Sequence, residues 1–529
     1  MREVLAMLRP FLPFGMCAFM AALLAYLLTR PLDYTSAFLL VVMVFLLAFP
    51  LLLRWHYLLL VLSLQMPVNL FFIKGTPPLC FLAIFLSLGI SIIERATGQR
   101  NRFIAAPQTV LPLVLLALVA FFTAELTGGM GFHALGNEVY GGRKYACLLM
   151  GIACFFALAA RRIPLENSGL YLALFLLGSL PSVFADLAAI LPDNLRFIYL
   201  LISPSSAGLD DMGNYDNFEL GTSRLSGISF AAISVYTWLL ARHGIRGIFL
   251  TGRPLRIGLF LLVFALISLG GYRSLVLEAV ALFALLFCLE KLHRTPLAFF
   301  LLLGGLLLGI AMVPLAHRLP FVVQRGLYFL PLEFNPEAVA DAKASSEWRM
   351  DLWTSLLPDV PKHLLLGKGY AILPETFNEL MDNGSLAYAK GIDSTQQSLA
   401  QAGDYHNGPL SVILPFGVWG AMAFLWFMGA GFWVLCRNYR FGPPALLTLN
   451  RFFLGIFVVK TVIFLTVYGA LQSDLIYFTT LVGLSIAFNN GVCRAFPDHQ
   501  LVADEYHRPI KFKRPLPTAA SSVPSAHLS

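Results

Sequence analysis

His406 is the side chain of this sequence best suited to moving a proton. It lies in Asp404-Tyr405-His406-Asn407, at the end of a long polar stretch and just before the apolar run that begins at Pro409. An imidazole has a pKa of about 6.5 in water, so at neutral pH it can take a proton from a hydroxyl group. We predict that His406 is a general base; the simpler interpretation is a histidine at a membrane interface.

Arg224, Arg273 and Arg349 are the arginines placed to bind an anion. Arg224 and Arg273 each stand at the start of an apolar run, and Arg349 lies within the polar stretch. A guanidinium group donates two parallel hydrogen bonds to a phosphate, which suits arginine to phosphorylated substrates. The alternative is that these side chains extend to lipid headgroups or anchor a surface helix. Asn407 is expected to cap the helix that follows or to orient the His406 ring.

The composition places these residues on a membrane protein. Of the 529 residues, 58% are hydrophobic and 12% are charged, which is too little polar surface for a soluble globule of this length. The formal net charge of +8 would suggest a nucleic-acid partner in a soluble protein. Here the basic residues lie mainly in short connections between apolar runs, which indicates membrane orientation and not nucleic-acid binding.

The predicted fold is an all-α, polytopic transmembrane helix bundle. About fourteen apolar runs are long enough to cross roughly 30 Å of hydrocarbon as helices. The runs fall at 10–28, 36–53, 55–73, 77–93, 109–126, 145–160, 168–191, 226–241, 257–271, 273–290, 296–315, 409–436, 451–470 and 475–490.

Charge asymmetry predicts the orientation of this bundle. Because lysine and arginine are retained on the cytoplasmic side, the basic connections place both termini in the cytoplasm and 192–225 and 316–408 outside. We expect five regions: N-terminal transmembrane helices (1–220), transmembrane helices with arginine motifs (221–315), a large and mostly helical external domain (316–408), C-terminal transmembrane helices (409–490) and a disordered cytoplasmic tail (491–529).

The external segment 316–408 is too long to be a loop without secondary structure. We predict a helix over Ser345–Leu357, capped by its serine and ended by Pro358. A turn at Leu366–Tyr370 and a short helix over Pro374–Met381 should follow. The seven cysteines lack a Cys-x-x-Cys spacing, and the external histidines lack neighbouring ligands, so neither a disulfide framework nor a metal site is predicted.

Glu278 and Lys460 are charged residues inside apolar runs. Such charges are costly in lipid unless they are paired or face a cavity. We expect each either to line a substrate path or to form an ion pair, for Glu278 with Arg273 or another neighbour.

The spacing around His406 carries a family resemblance. His406-Asn407 is followed by nine residues and then by Gly417-x-x-Gly420. This pattern resembles the signature of the bacterial O-antigen ligase and polysaccharide polymerase superfamily. Further similar elements precede it in the same order: Arg224 with Gly227 and Phe230, Arg273-Ser274, Arg349 with Trp353, and Gly367-Lys368-Gly369.

This resemblance extends over roughly residues 220–435. It departs from the family at Tyr272, where a serine commonly precedes the arginine, and at Pro415, where an acidic residue is common. What it implies is a metal-independent glycosyltransferase without a cofactor, with a C-type (GT-C-like) membrane architecture, in the bacterial inner membrane.

The resemblance also implies substrates and residue roles. The donor would be a glycan on undecaprenyl pyrophosphate, presented among membrane lipids at the external leaflet, and the acceptor would be a hydroxyl of a glycan or of lipid A-core. Arg224 and Arg273 would bind the pyrophosphate, and Arg349 would contact a phosphate or the glycan. His406 would deprotonate the acceptor. Gly417 and Gly420 would allow close helix packing.

Several functions stay open at this stage. Ligation to lipid A-core ranks first, polymerisation of repeat units second and transfer to protein hydroxyls third. A transporter or flippase for polysaccharide or lipid would have a similar hydropathy pattern. A carrier with its site near the membrane midplane has no need of a large external domain, however, and this favours an enzyme.

Overall fold

The computed structural model describes residues 39, 43, 53–71, 73, 75–98, 104, 106–129, 139–190, 198–202, 224–372 and 403–494. Within these ranges the chain is α-helical with short 3₁₀ segments and without β-strands, and its two antiparallel bridges are isolated. The predicted all-α membrane fold is confirmed.

The described helices are numbered in chain order. They are α1 (53–63), α2 (Leu79–Ala96), α3 (Pro107–Thr127), α4 (Gly142–Ala159), α5 (Ser168–Leu176), α6 (Val183–Ile190), α7 (Ile198–Leu201), α8 (Ser226–Phe249), α9 (Pro254–Ile267), α10 (Arg273–Leu289), α11 (Pro296–Met312), α12 (Phe321–Leu327), α13 (Pro336–Leu356), α14 (Gly408–Phe441), α15 (Leu447–Thr466) and α16 (Leu471–Asn489).

Eight helical segments of the described chain are long and apolar enough to cross a membrane. They are Leu79–Ala96, Pro107–Thr127, Gly142–Ala159, Leu165–Ala188, Pro296–Arg318, Gly408–Phe441, Pro444–Thr466 and Leu471–Asn489. The predicted runs at 226–241, 257–271 and 273–290 coincide with α8, α9 and α10.

Other predicted runs differ from the structure. The run at 10–28 and most of 36–53 lie outside the described residues, and 55–73 is helical only as far as residue 63. The run at 168–191 is interrupted by a 3₁₀ segment, Leu177–Ser182. Pro181 within that segment has no N–H to donate, which prevents a continuous α-helix.

The bundle is built around one continuous apolar core. α16 packs along α4, α14 packs against α3 and α15, and α8 packs against α9 and α15. Aromatic side chains such as Phe155, Phe452 and Phe478 are fully buried there. In contrast, no residue of the strongly apolar α11 is buried in the described chain, as expected of a helix that faces lipid.

Helix α13 lies outside this core and packs over the start of α14. Its Leu352 and Leu356 form a small second cluster with Tyr405, Leu410 and Leu414. Through this cluster, the predicted external segment packs against the start of α14 and the residues just before it.

The predicted start of this helix at Ser345 is wrong. α13 begins at Pro336, and the Asn335 side chain caps it by accepting a hydrogen bond from the Glu337 N–H at 3.0 Å. Asparagine followed by proline is a strong helix start, and it precedes the serine by ten positions. The helix does end before Pro358, and Leu366–Tyr370 is non-helical as predicted. The predicted helix at Pro374–Met381 lies outside the described residues.

Helix α8 is broken at Gly244, whose φ is +64°. The N–H groups of Ile245 and Arg246 after the break donate to the two carboxylate oxygens of Glu290, at 2.9 and 3.0 Å. Glu290 is buried at the end of α10. A neighbouring helix thus supplies the acceptor that the interrupted helix lacks.

Candidate functional site

His406 lies where α13 meets the membrane bundle. Its imidazole centroid is 5.7 Å from the ring of Trp348 in α13 and 5.2 Å from the ring of Tyr468, which lies between α15 and α16. The Trp353 indole N–H donates to the Tyr405 carbonyl at 3.0 Å. This hydrogen bond joins Tyr405, the residue before His406, to α13. The half-buried His406 therefore lies between α13 and the connection from α15 to α16.

The backbone at His406 and Asn407 forms a sharp entry into α14. His406 has a φ of +48°, a conformation that costs a residue with a side chain about 1–3 kcal/mol. Asn407 accepts a hydrogen bond from the Leu410 N–H at 3.0 Å. The capping role predicted for Asn407 is confirmed.

Arg349 lies close enough to both Arg273 and His406 for their charges to interact. Arg273 is the first residue of α10; it donates to the Ser346 hydroxyl at 2.9 Å and lies 5.0 Å from the centre of the Tyr328 ring. Burial lowers the pKa of Arg349, and the nearby positive charge of Arg273 lowers it further.

Among the described residues, neither Arg273 nor Arg349 forms an ion pair with a carboxylate. Two partly buried guanidinium groups close together favour the binding of an anion.

Arg224 lies two residues before α8, next to the turn that leads to Arg273. The Leu225 N–H donates to the Leu269 carbonyl at 3.2 Å, which joins the start of α8 to that turn. The Asp186 carboxylate accepts from the N–H groups of Gly227 and Ile228 at 3.0 and 2.7 Å and so caps α8. The backbone of Arg224 is thus held on the same end of the bundle as Arg273.

The surroundings of His406 favour its neutral form. Burial lowers the pKa of the His406 imidazole, the charges of Arg349 and Lys144 lower it further, and Asp404 opposes them. Asp404 itself accepts from the Gln472 side-chain amide at 3.1 Å and lies 3.8 Å from Lys144. A neutral imidazole can accept a proton, as a general base must.

Tyr468 also remains neutral in this setting. Burial, together with the charge of Asp404, raises the pKa of its phenol to about 12. Its ring beside His406 is therefore uncharged at any physiological pH.

The glycines of the signature lie at a break in α14. Gly417 has a φ of +60°, and the segment 364–369 packs its backbone into the interruption. The N–H groups of Lys368 and Gly369 donate to the carbonyls of Leu414 and Pro415 at 2.8 and 3.0 Å. The sequence patterns around 367–369 and 417–420 therefore form one structural unit, whereas the sequence predicted only close helix packing.

In the other direction, the Val418 N–H donates to the Leu364 carbonyl at 2.7 Å. A Cβ at Gly417 would lie 2.6 and 2.7 Å from the carbonyl oxygens of Leu365 and Leu364. Only glycine fits this close backbone approach, and its flexibility permits the conformation.

Glu278 and Lys460 form an ion pair at 2.7 Å. The partner of Glu278 is thus on α15 and not the nearby Arg273. The pair joins α10, which starts at Arg273, to the helix that precedes Tyr468. It is a link between two elements that build the site.

Tyr468, Lys144 and Gln472 lie at the site but were not among the predicted site residues. Tyr468 falls near the external end of the predicted run 451–470, on the same side of the predicted bundle as His406. That shared side is the one signal in the sequence, and it applies equally to every residue at the external ends of the runs. Trp348 was likewise not among the predicted site residues. In the described ranges, no three His, Cys, Asp or Glu residues are grouped to hold a metal ion.

Comparison with known proteins agrees with the predicted resemblance. Residues 257–425 match the family model described as O-antigen ligase. No curated protein matches this chain. The matched region includes Arg273, Arg349, His406 and Gly417 but not Arg224. The match supports an enzyme of the ligase or polymerase type in polysaccharide biosynthesis, in a multi-pass membrane protein.

Proposed function

Because residues 257–425 match the family model described as O-antigen ligase, we propose that this protein is a membrane glycosyltransferase. It transfers a glycan from undecaprenyl pyrophosphate to an acceptor hydroxyl at the external face of the bacterial inner membrane. The proposal includes cytoplasmic termini, with α13 and His406 on the opposite side. The acceptor is a sugar of lipid A-core, as in ligation.

The observation that carries this proposal is that Arg349 lies near both the half-buried His406 imidazole and the guanidinium group of Arg273. His406, Arg349 and Arg273 come from three elements that are distant in sequence. A base next to paired cations is what a reaction needs when a hydroxyl attacks and a diphosphate leaves.

The reaction follows from these positions. His406 takes the proton of the acceptor hydroxyl while its oxygen forms a bond to the anomeric carbon of the donor sugar. The bond between that carbon and the pyrophosphate oxygen breaks, and its electron pair leaves with the undecaprenyl pyrophosphate. Arg273 and Arg349 offset the charge that develops on this oxygen, and Arg224 binds the far side of the diphosphate.

The test is glycan profiling of a deletion strain that carries wild type, His406→Ala or Arg273→Ala, with equal membrane levels of each protein. Ligation predicts that deletion and both variants lose attachment while lipid-linked polymer persists. Loss of long chains with single repeat units left attached would identify a polymerase, and loss of protein glycans would identify transfer to protein.

A contrary result is equally clear. If both variants restore the wild-type pattern, His406 and Arg273 do not take part in transfer. A transporter would then be the better explanation, and it would be recognised by loss of flipping across the membrane.

A further inference from the structure

The His406 imidazole is enclosed by two aromatic rings from separate parts of the fold. We propose that Trp348 and Tyr468 are positioning residues that keep water from this imidazole and hold it in one orientation for proton transfer. The inference rests on the proposed role of His406 as the base, and it adds two residues that the signature around His406 does not contain.

The geometry of the enclosure is specific. The Trp348 ring is tilted by 53° to the imidazole at 5.7 Å, and the Tyr468 ring is tilted by 33° at 5.2 Å. Trp348 belongs to α13, whereas Tyr468 follows α15, so the two rings come from different elements. Aromatic pairs at such separations attract each other and restrict ring rotation.

The backbone at His406 complements these rings. Its φ is +48°, which residues with a side chain seldom adopt, and the Asn407 cap at the next position holds the start of α14 in place. The rings then limit the remaining side-chain torsions. An imidazole held in this way reacts without first losing conformational freedom.

Helix α13 is anchored on both sides of Trp348. Arg273 donates to Ser346, two residues before it, and Trp353, five residues after it, donates to the Tyr405 carbonyl. These two hydrogen bonds hold the backbone of α13 in place around Trp348. The position of the Trp348 ring relative to His406 therefore depends on the helix as well as on the side-chain rotamer.

The charged groups that face His406 are Asp404 on its own segment, Arg349 on α13 and Lys144 on α4, and Tyr468 adds a titratable phenol. Burial is the main cause of the lowered pKa of His406, followed by the opposing effects of Asp404 and the two cations. Removing a ring admits water, which stabilises the protonated imidazole. The pKa of His406 should then rise toward its ordinary value.

The experiment is a titration of His406 by NMR, with isotope-labelled histidine in the full-length protein in lipid nanodiscs. His406→Gln identifies the signal. The wild-type His406 signal should have its midpoint below about 6.5. Trp348→Ala and Tyr468→Ala should each raise this midpoint, and the double variant should raise it by an amount of the order of 1 pH unit. Tyr468→Phe keeps the ring and should keep the wild-type midpoint.

Trp426→Ala is the matched control. Trp426 is 47% exposed on α14 and contacts neither ring of the enclosure. Its loss should leave the midpoint unchanged. If the alanine variants fail to fold, Tyr468→Gln and Trp348→Gln keep part of the bulk at these positions but place a polar group beside the imidazole, so they should still raise the midpoint.

Unchanged midpoints in folded Trp348 and Tyr468 variants would overturn the proposal. The acidic limb of kcat/KM for glycan transfer offers a second readout, and it should move upward in pH with the NMR midpoint. The titration requires no substrate, so it decides the enclosure separately from catalysis. Transfer activity that survives His406→Ala would overturn the base role, whatever the titration shows.

Discussion

Two helices of this protein are broken at a glycine of positive φ, and the two breaks are satisfied in different ways. Gly244 interrupts α8 and Gly417 interrupts α14. Each break frees backbone groups that have no water to bond inside a membrane protein, so each needs partners from elsewhere in the chain.

At Gly244 the partner is one side chain. The Glu290 carboxylate accepts two N–H groups, and the Arg246 guanidinium donates to the Glu290 carbonyl at 3.0 Å. The contacts join α8 to the end of α10 and involve no predicted site residue.

At Gly417 the partner is a stretch of main chain. Residues 364–369 exchange three backbone hydrogen bonds with α14, and the same stretch continues from α13, which covers His406. Both breaks therefore join segments that are distant in the chain, but only the second break joins a segment that leads to the helix beside His406. We expect only the second break to matter for the proposed chemistry.

The largest expected effect on glycan transfer is the loss of His406, which lies near the Gly417 break. His406→Ala should lower glycan transfer by about 10²- to 10⁴-fold, because the proposed base is lost. The matched control is His243→Ala, next to Gly244, which should leave transfer near the wild-type rate. Transfer is measured with lipid-linked donor in proteoliposomes. Equal losses in both variants would remove the functional distinction.

Arginine substitutions sharpen the same comparison. Arg273→Ala should slow transfer by about 10²-fold, because one guanidinium no longer offsets charge on the leaving diphosphate. Arg246→Ala at the other break removes an arginine of structural role and should change thermal stability without slowing turnover at low temperature. Rates and melting temperatures of both purified variants test this prediction. A slowed Arg246→Ala enzyme would contradict it.

Alanine at each glycine compares the breaks directly. At Gly417 the new Cβ would meet the Leu365 carbonyl at 2.6 Å, and main chain must move. At Gly244 it would meet a Glu290 side-chain oxygen at 2.6 Å, which can shift more easily. We expect Gly417→Ala to slow transfer by about tenfold, or about 1.4 kcal/mol in the barrier, and Gly244→Ala to slow it less. Slower transfer by Gly244→Ala than by Gly417→Ala, at equal membrane levels of the two proteins, would contradict this prediction.

The smallest expected effect on transfer is that of Glu290→Gln. The amide retains one oxygen acceptor but turns an N–H₂ group toward a backbone N–H, so the break in α8 should lose about 1–3 kcal/mol of stability. Thermal unfolding measures this loss, and transfer below the melting range should match wild type. A stable but inactive variant would show that the Gly244 break also serves the site.

Much of the fold could be predicted from local patterns. The apolar runs at 109–126, 145–160 and 475–490 are membrane-length helices at nearly the predicted bounds, since hydrophobic length alone decides which segments remain in lipid. The start of α13 was missed because a serine near an apolar stretch was preferred over Asn335-Pro336. The interruption of 168–191 at Pro181 was missed because apolar content outweighed a single proline.

The candidate site was predicted in part. Arg349 does lie near both His406 and Arg273 in the structure, and Asn407 caps α14. Their chemical roles are still predictions. Tyr468 and Gln472 could not be selected, because nothing in their local sequence distinguishes them from other polar or aromatic residues at the external ends of the apolar runs.

The membrane class, the helical fold and the position of the His-Asn and glycine patterns along the chain can be derived from the amino-acid sequence. These properties depend on hydrophobic length, residue type and spacing, which are local. Only the tertiary structure decided that 364–369 fills the break at Gly417, that Glu278 pairs with Lys460, and that Trp348 and Tyr468 enclose His406. Each of these contacts joins residues that are far apart in the chain, and their partners follow from how the helices pack in three dimensions.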